Sequence, residues 1–139
     1  MSPDDNGTPP LAPADALVRE IHAVLELVRP VTAREPEPRY AGYTVSASEA
    51  YLHLAREGDP ERRLRVLRHG NGRDSRWWLA DEKGRVIDLA LSAADRKAIR
   101  ASPDARYPYE EGRGAMFRTG AERPSKRAAA LLELVRSRR

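Results

Sequence analysis

The sequence predicts an α+β domain: an antiparallel sheet of three or more strands packed by N-terminal, central and C-terminal helices. Three observations carry this. Apolar residues recur at helical spacing in stretches near residues 15–29, 47–56 and 126–137. Short strand-like runs follow one another at 63–68, 76–80 and 85–89. The runs are joined by hairpin-type turns rather than by crossover helices, which makes the sheet antiparallel.

The first 13 residues hold Pro3, Pro9, Pro10 and Pro13 among Gly, Asn and Asp. Such a segment buries too little apolar area to offset its ordering, so a disordered tail over 1–13 and one domain over 14–139 are expected. Leu17, Val18, Ile21, Val24, Leu25 and Val28 then mark one helix face, and Pro30 ends the helix. His22 lies just off that stripe and reads as a helix-surface histidine. Residues 30–41, with Pro30, Pro36 and Pro38, read as a connector.

Ser46-Ala47-Ser48-Glu49 has capping-box spacing, which places a helix over about 47–56 with Ala47, Ala50, Tyr51 and Leu54 inward. Gly58 and Pro60 close it. This reading leaves Thr44, two residues ahead of the cap, as the free polar group. Gly70-Asn71-Gly72 and Asp81-Glu82-Lys83-Gly84 supply the turns between strands. Ser92-Ala93-Ala94-Asp95 starts a short helix that ends near Ala101. Residues 102–124 lack periodicity and read as a long loop. Ser125 caps a last helix striped by Ala128, Leu131, Leu132 and Val135.

Composition excludes several functions. The 139 residues include no cysteine, which rules out disulfides, thiol catalysis and cysteine-held zinc. His22, His53 and His69 are scattered, no carboxylate cluster has ligand spacing, and no phosphate-binding glycine motif follows a strand. No metal and no cofactor are therefore expected. The N-terminus has no apolar signal region and the chain has no run long enough to span a bilayer, so a cytoplasmic protein without a membrane partner is expected. The net charge of +4 conceals an asymmetry: residues 1–61 carry 5 Arg against 11 Asp/Glu, and residues 62–139 carry 20 Lys/Arg against 10 Asp/Glu. The basic second half allows a nucleic-acid partner. However, arginine far outnumbers lysine, a pattern that GC-rich coding alone produces. Trp77 and Trp78 are adjacent, so on a strand they point to opposite faces. One belongs to the core, and the other is a candidate stacking platform beside Arg73 and Arg76.

Several stretches carry a resemblance in a fixed order: Gly42 to Ala50, Arg68-His69, Trp77-Trp78-Leu79, Val86-Ile87-Asp88-Leu89, Pro108 to Gly114 with Phe117-Arg118-Thr119, and Pro124-Ser125-Lys126-Arg127-Ala128. Over about residues 40–130 the chain resembles a family of small uncharacterised phage and bacterial proteins. Their pattern runs Gly-His-Cys-Tyr-Val-Ala-Ser-Glu-Ala, then His-Trp, Ile-Leu-Asp, a Tyr-rich Gly-Arg-Gly loop and Pro-Ser-Lys-Arg-Ala. The order Cys, His, Asp in that pattern is similar to the papain-like arrangement of NlpC/P60 or transglutaminase-like enzymes. There a Cys at a helix start is served by a His on the next strand, and an Asp orients the His. The resemblance implies a papain-like-fold variant in which the Cys position is Thr44, the His position is Arg76 and the Asp position is Asp88. Arginine cannot serve as a base, so the implied triad is broken.

Three functions follow as expectations. The first is a catalytically degenerate, papain-like binding module for a protein or an anionic ligand. It would be held by Arg73, Arg76, Trp78, Tyr109, Arg113 and Arg118, with Arg76 and Asp88 paired across neighbouring strands. The second is a hydrolase or acyltransferase that uses Thr44 and Asp88 with His69 or His53 as base. The third is a nucleic-acid-binding protein.

Overall fold

A computed structural model describes residues 9–28, 38–70, 75–101, 108–117 and 123–139. Among these residues the chain is α+β, with four helices and one four-stranded antiparallel sheet. The helices are α1 (Ala16–Val28), α2 (Thr44–Gly58), α3 (Ala93–Ala101) and α4 (Lys126–Ser137). The strands are β1 (Arg65–His69), β2 (Arg76–Ala80), β3 (Val86–Ile87) and β4 (Arg113–Gly114), in sheet order β3-β2-β1-β4.

Helix α1 is capped by Asp15, whose carboxylate accepts from Val18 N–H at 2.9 Å. Val18, Ile21, Val24 and Leu25 are buried, as their spacing predicts. Helix α4 starts after Ser125, whose hydroxyl accepts from Ala128 N–H at 3.3 Å, and its four stripe residues are all buried. Ser92 and Asp95 form the reciprocal box expected at the start of α3. Helices α1, α2 and α4 pack together, and α2 lies against β2.

Register fixes the two faces of the sheet. Val66 pairs with Leu79 and Arg68 with Trp77, and these four point toward the helices. Leu67 pairs with Trp78 and His69 with Arg76, so these four point the other way. On that second face Trp78, Val86 and Tyr109 form a smaller core flanked by Leu11 and Leu67.

Five expectations are corrected. Residues 9–13 are not a free tail: Val86 N–H donates to Pro10 O at 2.8 Å and Ala12 N–H donates to Val86 O at 2.7 Å. Only the carbonyl of Pro10 is used here, and a proline is tolerated at the first position of such an edge pairing. Residues 1–8 lie outside the described residues. Helix α2 begins at Thr44, not at Ala47, and a 3-10 turn at Ala41–Tyr43 leads directly into it. β3 is only two residues long, because the chain turns away at Asp88, whose carboxylate accepts from Ala90 N–H at 3.0 Å. The long loop contains a 3-10 turn at Pro108–Glu111 and the strand β4. His22 is also half-buried rather than on the helix surface. It stacks on Tyr40 and its Nε2 lies 2.9 Å from Leu89 O, so that nitrogen carries the proton. Burial pushes its pKa below the ordinary histidine value.

Candidate functional site

Thr44 occupies the first position of α2, against the edge of β2. Its hydroxyl donates to Trp77 O at 2.6 Å and accepts from Trp77 N–H at 3.0 Å. These are the two bonds that a facing strand residue exchanges in an antiparallel ladder. β3 ends at Ile87, opposite Leu79, so among the described residues no strand reaches Trp77 from that side. The Thr44 hydroxyl stands in for the missing backbone. Its only proton is donated to a carbonyl oxygen, and the residue is 7% exposed.

The neighbouring capping box does not form. Ser46 is inside the helix, and its hydroxyl leans back to Tyr43 O at 3.4 Å. Glu49 is buried and turns to the other helix, where its carboxylate accepts from Ser125 N–H at 2.8 Å. Glu49 therefore ties the start of α4 to α2.

Arg76 and Asp88 meet as the neighbouring-strand argument predicts. A guanidinium nitrogen of Arg76 donates to Asp88 Oδ2 at 2.9 Å, with the Asp88 side chain fully buried. The same oxygen accepts from Tyr109 Oη at 2.7 Å. Asp88 is thus held by Arg76, Tyr109 and the Ala90 amide. This network is on the second face of the sheet, beside buried Trp78. Tyr109 packs edge-on against the Trp78 indole, with ring centroids 5.2 Å apart.

The other expected residues do not gather around Thr44. His69 faces the second side with Arg76, and its Nε2 lies 2.9 Å from Glu111. His53 is nine residues along α2 from Thr44, about 13 Å of helical rise. Neither histidine is placed to take the Thr44 proton. Trp78 is completely buried, and Trp77 is stacked on Phe117 with centroids 5.5 Å apart, so neither is an open base-stacking platform. Arg113 is exposed on β4. Arg73 and Arg118 lie outside the described residues.

Beside Thr44 the structure has an open groove of about 420 Å³. It is lined by Ala41 and Gly42 of the 3-10 turn, by the start of α2 (Thr44, Val45, Ser46), by Ser75 and by the start of α4 (Ser125, Lys126, Arg127). Two helix starts therefore converge on one groove, and each brings a partial positive charge. In α4 the Ser125 hydroxyl serves the third amide of the helix, and the first intrahelical bond reaches Ala129 N–H. That leaves the Lys126 and Arg127 amides without an acceptor among the described residues.

In the sequence Lys126 and Arg127 stand out only as part of the Pro124–Ala128 motif. One signal could have singled them out. Cations in the first turn of a helix oppose its dipole, and acids are favoured there. Neither α2 nor α4 has an acid in its first turn. A Lys-Arg pair directly after a cap is thus unexplained by helix stability. Comparison of the chain with protein-family models, with curated proteins and with solved structures gives no match.

Proposed function

We propose that this domain is a catalytically degenerate, papain-like module that binds an anionic group in the groove between the starts of α2 and α4. The observation that carries the reading is the convergence of two helix starts with Lys126 and Arg127 beside Ser46, Ser75 and Ser125. Helix amides and basic side chains suit an oxyanion such as a phosphate or carboxylate. Bound charge there would also offset the unfavourable placement of Lys126 and Arg127 against the α4 dipole. Glu49 opposes this from inside, but its carboxylate is spent on Ser125 N–H.

The papain-like part of the reading rests on order and place. A helix start lies against the strand that begins with Arg76, and Arg76 is paired with Asp88. This is the sequence of elements that the resemblance implies. The degenerate part rests on Thr44. An acyl-transfer enzyme needs a nucleophile whose proton passes to a base, whereas the Thr44 proton is donated to Trp77 O. Anion binding moves from the expected arginines to the groove, because Arg76 is engaged by Asp88 on the other face.

The test is a titration of the ¹⁵N-labelled protein with inorganic phosphate, followed by amide shifts. The expected result is saturable movement of the Gly42, Ser46, Lys126 and Arg127 amides with a Kd on the order of 1 mM, equivalent to about 4 kcal/mol. K126A/R127A is expected to weaken binding at least about tenfold, because charge-assisted contacts contribute about 1.5–3 kcal/mol each when retained. Shifts scattered over the surface, or an unchanged Kd in the double variant, would overturn the reading.

A further inference from the structure

We propose that the groove is one end of a longer phosphate track, and that the partner is a single strand of nucleic acid held through its backbone. The inference rests on the anion reading of the groove and adds a separate feature on the sheet. Arg68 of β1 and Arg113 of β4 are direct cross-strand partners, and both are exposed. Like charges placed opposite each other destabilise a sheet. Neither arginine has a carboxylate partner among the described residues. Glu111 and Asp88 are turned to the other face with His69 and Arg76.

The pair connects to the groove through Trp77. The Arg68 guanidinium lies over the Trp77 ring, 5.6 Å from its centroid. Trp77 Nε1 donates to Ser75 Oγ at 3.2 Å, and Ser75 lines the groove with Lys126 and Arg127. Cations therefore stand at both ends of one contact path, from Arg113 and Arg68 through Trp77 and Ser75 to the α4 start. A single small anion would engage only one end.

Phosphates fit this path better than the carboxylates of an acidic peptide. Three of the four cations are arginines, whose forked donors match phosphate oxygens in pairs. The groove adds amides and hydroxyls that suit a group with several oxygens. Trp77 has Arg68 and Phe117 stacked upon it, so no platform is offered to bases. Binding is consequently independent of base sequence. The path steps from an open sheet corner into a groove, which a flexible single strand can follow.

The experiment is fluorescence anisotropy of a labelled oligothymidylate 15-mer with the full chain, over about 50–200 mM salt. With four phosphate contacts the expected slope of log K against log salt is about −2.8, an approximately 50-fold loss across that range. R68Q/R113Q is expected to reduce the slope to about −1.4, an approximately 7-fold loss. K83Q/K97Q removes the same charge from exposed sites on the β2–β3 turn and α3, and should leave the slope unchanged. Equal losses in the two double variants would mean diffuse attraction and would sink the track. An oligoglutamate of the same length that competes as well as the oligonucleotide would overturn the nucleic-acid assignment. Groove amides that respond to phosphate in a protein that fails to bind the 15-mer would overturn the track and leave the groove reading standing. No response to either probe removes both.

Discussion

Thr44→Val removes one hydroxyl and keeps the shape of the side chain. In the wild type that hydroxyl makes two hydrogen bonds to one residue, at 2.6 and 3.0 Å. Each contributes about 1 kcal/mol net, and a buried amide or carbonyl left unsatisfied costs about 1–3 kcal/mol. Thr44 is nearly buried and β3 does not extend to Trp77, so neither group has a substitute partner in the sheet. The expected loss is about 2–3 kcal/mol, or roughly 8–12 °C in Tm for a domain of this size. Thr44→Ser retains the hydroxyl and should cost under about 1 kcal/mol, mainly through the lost methyl group. Urea denaturation with equal m-values and calorimetry would both read this difference. A Val variant within about 0.5 kcal/mol of wild type would refute the ladder role of Thr44.

Two further outcomes are expected. At Gly112 an added Cβ would lie 2.3 Å from Cζ2 of the fully buried Trp78, which Tyr109 holds from another side; Gly112→Ala should cost about 2 kcal/mol in urea melts, while Gly58→Ala, with nothing within 4 Å of its Cβ, should cost nothing, and equal stabilities of the two variants would contradict the packing. His22 has a pKa lowered by burial, with Arg96 adding to the effect and the Leu89 carbonyl, Asp88 and Glu26 opposing it. As pH falls below about 6.5 the unfolded chain binds the proton first, so this residue lowers stability with acidification until its folded pKa is passed. His22→Gln should therefore lose less stability than wild type between pH 7.5 and 5.5, measured as urea midpoints, and parallel losses would exclude the assignment.

Most elements were legible in the sequence because their causes are local. The start of α4 depends on Ser125 and a stripe that recurs within twelve residues. The hairpin order follows from turn residues between short strands. The start of α2 was not legible, because its determinants are remote. Thr44 bonds a residue 33 positions away, and Glu49 caps a helix 76 positions away. A capping box is a local preference, and here two tertiary bonds outweigh it. The same holds at the N-terminus, where Pro10 and Ala12 gain order only because β3 offers an open edge. For the tryptophans, alternation predicted opposite faces correctly. It could not predict that helices would cover one face and the Pro108–Glu111 turn with Tyr109 the other.

The ladder bonds of Thr44 also bear on how the resemblance should be understood. A residue in a nucleophile's position must be able to release its proton, and Thr44 could do so only by leaving Trp77. Breaking both bonds at about 1.4 kcal/mol each would leave the hydroxyl free in about one molecule in a hundred. Even then the second requirement fails. The side chain at position 76 is an arginine committed to Asp88 on the far face, and His69 is committed to Glu111 on that same face. Chemistry at Thr44 would thus need a rearranged sheet edge and a new base together. Anion binding in the adjacent groove needs neither, because the groove is open and its donors come from the starts of helices that the core already holds in place. The two bonds that would hold Thr44 back from chemistry are also the bonds that fix α2 to β2, and with it one wall of the proposed anion groove.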